Sequence, residues 1–111
     1  MPKEGFRIMR ILVFFDLPVE TSTDRKNYRK FRKFLIENGY AMVQYSVYAK
    51  IILNHSALNY QKKKVMEFIP KKGIVDLLVI TEKQYANMER LVHQTKRQDT
   101  QITTTERIIE L

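Results

Sequence analysis

The chain has 111 residues and no cysteine, and its 20 lysines and arginines outnumber 12 acids to give a formal net charge of +8. The lack of cysteine excludes disulfides, thiolate zinc sites and cysteine nucleophiles, and no apolar run reaches the ~20 residues of a membrane span. We therefore expect one cytoplasmic domain over residues 1–111, with no membrane partner and with a polyanion as the ligand of its basic surface.

The first predicted strand covers residues 11–15 and stops at one acid, Asp16. Apolar residues at every position indicate a strand that is covered on both faces, and Pro18 cannot continue a ladder. Asp16 is therefore expected at the mouth of the sheet, where folds of this kind usually keep their chemistry. The alternative for Asp16 is a turn or helix-cap carboxylate that accepts hydrogen bonds from backbone amides.

A helix is predicted from Asp24 to Asn38, after a polar run of several N-cap residues and before the helix stop at Gly39. The face away from its apolar stripe carries six cations: Arg25, Lys26, Arg29, Lys30, Arg32 and Lys33. A merely solvated face usually interleaves acids with such cations, whereas this helix has acids only at its two ends. The pattern favours contacts with phosphates, and the alternative is a solvated face whose side-chain stems lie over apolar surface.

Residues 41–53 alternate as in a half-buried strand, but this length predicts a bulge or tight reversal near residues 44–46. Tyr45 and Tyr48 are the candidates for base stacking in this stretch, and their alternative is packing in the core or a dimer interface. Ser46 is a candidate for a hydrogen bond near a bound metal or for a contact with DNA, and its alternative is a structural hydroxyl at the strand edge.

A second helix is predicted from a cap at Ser56 to about Ile69, with residues 62–64 facing solvent. Its expected core-facing residues are Leu58, Val65, Phe68 and Ile69. Further elements are a central strand over residues 74–81, a short helix over 82–88 and the start of an edge strand at 91–93. Residues 94–105 are expected to form an exposed loop before a short apolar tail at 107–111.

The succession of strands and helices predicts an α+β fold with the helices on one face of a largely antiparallel sheet. The other face is also apolar, and a second copy in a two-fold dimer is the commonest way to bury such a face.

These features resemble the CRISPR-associated protein 2 family of the bacterial and archaeal adaptation machinery. The resemblance rests on residues 14–16, the basic helix that closes at Gly39, the run 44–48 (Gln-Tyr-Ser-Val-Tyr) and residues 73–81. It implies a ferredoxin-like βαββαβ sandwich, a homodimer, and a segment 94–111 made of the exposed loop and a C-terminal strand, the tail at 107–111, that extends the partner's sheet.

The resemblance also implies two activities. One is a Mg²⁺-dependent endonuclease that hydrolyses RNA or DNA, in which Asp16 is both the catalytic residue and the metal ligand. The other is a scaffold that binds double-stranded DNA through the six cations and bridges the CRISPR-associated protein 1 integrase for spacer acquisition. The integrase-binding residues implied are Arg107, Ile108, Ile109 and Leu111.

One departure bears on the nuclease interpretation, because the next acids after Asp16 are Glu20 and Asp24. Neither His55 nor His93 has a metal-ligand spacing, so we assign neither a role. The alternative to both activities is a ferredoxin-like RNA-binding or regulatory module with no CRISPR role.

Overall fold

The computed structural model describes residues 7–92. Within them the chain forms, in order, β1 (Met9–Asp16), α1 (Ser22–Glu37), β2 (Ala41–Gln44), β3 (Val47–Ile52), α2 (His55–Phe68), β4 (Ile74–Thr81) and α3 (Glu82–Ala86). The strands pair antiparallel in the order β2-β3-β1-β4. This βαββαβ arrangement confirms the α+β, ferredoxin-like class. The predicted loop and exchanged strand, including 107–111, lie outside the described residues.

The core lies between the sheet and helices α1 and α2. Ile11, Val13 and Phe15 of the central strand β1 point to this side and are at most 4 % exposed. The Phe15 ring meets the Phe31 ring of α1 edge to face, with 5.2 Å between centroids. Each such side chain contributes about 1.5–3 kcal/mol of transfer free energy when fully buried, so this packing helps to hold β1 against α1.

Helix α1 begins two residues before its predicted start because Thr21 closes a capping box with Asp24. The Thr21 hydroxyl accepts from the Asp24 amide at 3.0 Å, and the Asp24 carboxylate accepts from the Thr21 amide at 3.2 Å. At the other end Gly39 has φ +89°, which L side chains rarely adopt, so the predicted helix stop is confirmed.

The predicted reversal in residues 44–46 is present. Strand β2 ends at Gln44, β3 begins at Val47, and these two residues pair across a two-residue turn at 45–46. Ser46 has φ +66°, a left-handed conformation that costs a non-glycine residue roughly 1–2 kcal/mol. A bulge between Met42 and Gln44 adds to the irregularity.

Three local predictions were wrong. Asn54, not Ser56, caps α2, and its side chain accepts from the Ala57 amide at 2.8 Å. Phe68 and Ile69 are 52 % and 46 % exposed instead of packing into the core, because they lie where α2 ends and leaves the sheet. Within the predicted edge strand, residues 91 and 92 are exposed and not in a strand, and residue 93 lies outside the described part.

The sheet face opposite α1 and α2, which we call the outer face, is largely apolar as predicted. The register places residues 10, 12, 14 and 16 of β1 on it, beside 47, 49 and 51 of β3 and 74, 76, 78 and 80 of β4. Four of its apolar side chains are between 37 % and 59 % exposed: Phe14, Ile51, Ile74 and Leu78. Helix α3 covers one corner, where the Arg10 guanidinium pairs with Glu82 at 2.7 Å and lies 4.3 Å from the Tyr85 ring centroid.

Candidate active site and nucleic-acid interface

Asp16 is the last residue of β1, and its side chain is exposed on the outer face. Successive strand residues point to opposite faces, so Phe15 enters the core and Asp16 points away from it. Within residues 7–92 the Asp16 carboxylate has no hydrogen-bond or ion-pair partner. The capping alternative is therefore wrong, since Thr21 and Asp24 cap α1. Asp16 remains a solvent-facing acceptor at the strand exit.

A second carboxylate, Asp76, shares this face and was missed from the sequence. Asp16 pairs with Ile74 and Phe14 pairs with Asp76, so the two acids are diagonal neighbours on adjacent strands. Such neighbours lie about 7–8 Å apart. The signal was present in the sequence, because Asp76 is the one acid inside the apolar run of β4, but only the register brings it beside Asp16.

The acids that the sequence offered as neighbours do not join this pair. Asp24 is 8 % exposed and occupied by the capping box, with Lys72 at 3.9 Å. The Glu20 carbonyl accepts from Arg25, and its side chain is exposed. Among the described residues no three His, Cys, Asp or Glu side chains come together as a metal cage. Mg²⁺ does not need such a cage, because it commonly binds one or two carboxylates and keeps several waters.

The turn at 45–46 lies at the same end of the sheet as Asp16. The Phe15 amide donates to the Ser46 carbonyl at 3.0 Å, which ties the turn to the exit of β1. Tyr45 on this turn is 86 % exposed, so it does not pack in the core of the chain, whereas Tyr48 is 1 % exposed. The core interpretation therefore holds for Tyr48 and fails for Tyr45.

Gly73 brings the start of β4 against the exit of β1. Its φ is +97°, and a Cβ there would lie 2.6 Å from the Asp16 carbonyl oxygen and 2.8 Å from Leu17 Cδ2. Only a residue without a side chain permits this approach, so Gly73 fixes the position of Asp16 relative to β4.

All six predicted cations of α1 are exposed, but the structure divides them into two groups. Arg25 donates to the carbonyls of residues 19 and 20 at 3.0 and 3.1 Å, and Arg32 donates to the Tyr48 hydroxyl at 2.8 Å. Lys33 lies 3.9 Å from Glu37, a weak exposed pair. The other three have no ion pair or side-chain hydrogen bond within residues 7–92: Lys26, Arg29 and Lys30. These three form what we call the free cations of α1.

The corner under α3 is held by a bidentate ion pair. Arg10 Nε and Nη2 donate to the two Glu82 oxygens at 2.7 and 2.8 Å. The hydrogen bond from Arg10 lowers the pKa of Glu82, and the same bond raises the pKa of Arg10. The pair links α3 to β1 at this corner of the outer face.

Fold and site together define a ferredoxin-like domain with a strand-end carboxylate and a basic helix on opposite sides of its sheet. A profile of the family described as CRISPR associated protein Cas2 matches residues 9–88. The chain belongs to this family, which confirms the resemblance seen in the sequence.

Three relatives are named CRISPR-associated endoribonuclease Cas2. The protein of Ligilactobacillus salivarius is 50 % identical over 84 residues, which are 76 % of this chain and 83 % of the relative. That of Streptococcus mutans is 46 % identical over 94 residues (85 % and 84 %), and that of Treponema denticola is 44 % identical over 103 residues (93 % and 100 %). The expected nuclease activity agrees with these names. None of the described helices combines the length and apolarity needed to span a bilayer.

Proposed function

We propose that the protein is a cytoplasmic homodimeric scaffold that holds double-stranded DNA for spacer acquisition and bridges the CRISPR-associated protein 1 integrase. We propose in addition that it hydrolyses phosphodiester bonds at a Mg²⁺ site on Asp16. The observation that carries the scaffold function is the row of free cations on α1. Lysine and arginine contacts to phosphates are independent of sequence, as capture of any protospacer requires.

The outer face supports the dimer. Its exposed apolar side chains form one surface across β1, β3 and β4. Exposure of this surface to water is unfavourable in a monomer, and burial in a dimer interface removes that cost. A two-fold interface places the same patch on both partners, so one set of residues serves both. Replacing Leu78 with Asp, at the middle of this surface, is expected to give monomers in sedimentation velocity. A dimer that survives this change refutes the interface.

The nuclease function is favoured by the exposed Asp16 carboxylate, which lacks a partner within residues 7–92, and by the names of the relatives. Asp16 and its neighbour Asp76 offer the oxygen ligands that Mg²⁺ prefers. A bound Mg²⁺ supplies a more acidic water and offsets charge on the phosphate. In this chain Asp16 would hold the ion at the strand exit, and the Ser46 turn and Gly73 keep that exit in place.

The scaffold is tested by spacer integration in vitro with the cognate integrase, comparing no addition, this protein and its Asp16→Ala variant. We expect integration to require the protein and to survive the substitution, because Asp16 and the free cations lie on opposite faces. Integration without the protein refutes the scaffold. If the Asp16→Ala variant still forms dimers but no longer supports integration, the scaffold function is not independent of the nuclease site.

The nuclease is tested by cleavage of an RNA substrate with Mg²⁺ and with a chelator. Asp16→Asn is expected to abolish the metal-dependent cleavage, and Asp76→Asn to raise the Mg²⁺ concentration needed for half-maximal cleavage without abolishing cleavage. Equal cleavage by Asp16→Asn and the unmodified protein refutes this site.

The integrase contact is proposed for the apolar tail, residues 107, 108, 109 and 111. Deleting residues 107–111 is expected to abolish co-elution with the integrase while duplex binding remains. Unchanged co-elution refutes the assignment of the tail.

A further inference from the structure

A groove of about 1040 Å³ lies between α1 and the segment that runs from the end of α2 to Lys72. It opens on the helix side of the sheet, whereas the Asp16 side chain lies on the outer face. We call it the α1/α2 groove.

The floor of the groove is aromatic. Phe34 of α1 and Phe68 of α2 stack with 4.4 Å between ring centroids and 12° between ring planes. Phe34 is buried at 7 % exposure, whereas Phe68 remains 52 % exposed and so presents part of its ring to the groove. A large aromatic surface in water is unfavourable unless something packs on it.

The rim of the groove is basic. Its cations are Lys30 and Lys33 on one side and Lys64, Lys71 and Lys72 on the other. Three acids also line it. Glu37 lies 3.9 Å from Lys33 and Asp24 lies 3.9 Å from Lys72, which leaves Lys30, Lys64 and Lys71 against Glu67. The Lys64 ammonium lies 5.9 Å from the Phe68 ring centroid, so a cation stands directly beside the exposed aromatic surface.

We infer that the α1/α2 groove binds a single strand of nucleic acid, with phosphates on the lysine rim and a base stacked on Phe68. Charged grooves with exposed aromatic rings are the general means of holding unpaired strands. A duplex hides the faces of its bases, and an acidic peptide satisfies the lysines but leaves the ring with no flat partner. The inference goes beyond the proposed duplex scaffold, because Lys64, Lys71 and Phe68 lie off the exposed face of α1.

The first test removes charge from the rim. The full-length Lys64→Ala/Lys71→Ala protein is compared with Lys62→Ala/Lys63→Ala, which removes two charges from the same region outside the groove. Fluorescence anisotropy measures binding of labelled oligothymidylate and oligouridylate over a range of salt. The groove variant is expected to lower the log–log salt slope by about 1.4, since each single-strand phosphate contributes roughly 0.7. Equal slopes for the two variants overturn the inference.

The second test removes the ring. Phe68→Leu keeps an apolar side chain, and Tyr60→Leu is its control, because Tyr60 is 55 % exposed, does not line the groove and lies at a similar 5.7 Å from Lys64. Loss of one stacked base is expected to weaken single-strand binding roughly 5- to 140-fold for Phe68→Leu alone. An equal loss of single-strand affinity in both variants overturns the inference. If Phe68→Leu does not fold, the comparison of Lys64→Ala/Lys71→Ala with Lys62→Ala/Lys63→Ala decides.

Two further binding comparisons identify the chemical class of the ligand. Stronger binding of oligothymidylate or of oligouridylate assigns the groove to DNA or to RNA, and either supports the inference. Poly-glutamate binding that depends on Lys64 and Lys71, with single-strand binding unaffected, overturns it in favour of an acidic protein. Duplex binding is measured in parallel and is expected to be unchanged in Phe68→Leu, so failure of the groove and failure of the scaffold remain distinguishable.

Discussion

Replacing two free cations of α1, Lys26 and Arg29, with alanine should remove most of the salt dependence of duplex binding. Both side chains are exposed and have no ion pair or side-chain hydrogen bond within residues 7–92, so their loss leaves the fold intact. Arg32 is unsuitable for this purpose, because it donates to the Tyr48 hydroxyl and its removal leaves a core tyrosine without that partner.

The magnitude follows from counting phosphates. Each phosphate neutralised on B-DNA contributes about −0.9 to the slope of log affinity against log salt concentration. Three free cations on one α1 therefore give a slope near −2.7, or roughly 40-fold weaker binding from 50 to 200 mM salt. The double variant keeps Lys30 alone, so its slope falls to about −0.9 and the loss over the same range to roughly 3.5-fold.

The assay is anisotropy of a labelled hairpin with a 10-bp stem, titrated at four salt concentrations. The control is Lys62→Ala/Lys63→Ala, which removes the same charge from α2 and should keep the original slope. A slope that stays near −2.7 in Lys26→Ala/Arg29→Ala refutes the reasoning. A slope that falls equally in the control assigns the effect to net charge and also refutes it.

Three further predictions concern the stability of the backbone turns and of the ion pair around the outer face. Gly73→Ala should lower the free energy of unfolding in urea by about 1–3 kcal/mol, because its Cβ would lie 2.6 Å from a backbone oxygen. Gly39→Ala should cost less, because its Cβ would meet only the flexible end of a lysine side chain. Equal losses of stability in the two variants contradict this reasoning. Ser46→Gly should raise stability by up to ~1 kcal/mol in the same assay, since glycine adopts φ +66° freely, and a loss contradicts the strain. The pKa of Glu82 is lowered in the folded state, so the stability it contributes is present above its ordinary pKa and lost as pH falls through the lowered value. The Tm advantage of the unmodified protein over Glu82→Gln should therefore shrink below about pH 4.5, and a constant difference contradicts the pair.

The sequence was sufficient where structure follows from local pattern. An unbroken apolar run ending in Asp16 and Pro18 identified the central strand and its exit. The length of the alternating stretch identified the turn at 45–46. Gly39, expected at the end of the first helix, has the positive φ that is common just after a helix C-terminus.

The sequence was insufficient where partners come from distant segments. Asp76 joins Asp16 only through the register between β1 and β4, which are about sixty residues apart in the chain. The six cations of α1 cannot be told apart from the sequence. In the structure, Arg32 donates to the Tyr48 hydroxyl and Arg25 donates to a carbonyl of the preceding loop. Ser56 and Asn54 are both competent caps, and the helix begins at the first of them.

The proposed dimer predicts that the salt dependence of DNA binding varies with the length of the duplex. If two outer faces join, the α1 helices lie on opposite sides of the dimer, since α1 packs on the other face of each sheet. One α1 of 16 residues is about 24 Å long and matches about 7 bp, so a 10-bp stem contacts a single helix. A 30-bp duplex is about 100 Å long and reaches both helices only by bending around the edge of the dimer, at a cost of order 1–6 kcal/mol for a bend of 40–90°. Its slope should then approach about −5.4, or roughly 1,800-fold between 50 and 200 mM salt. Equal slopes for the two lengths would show that each duplex uses one helix, and a scaffold that spans both protomers would then be excluded.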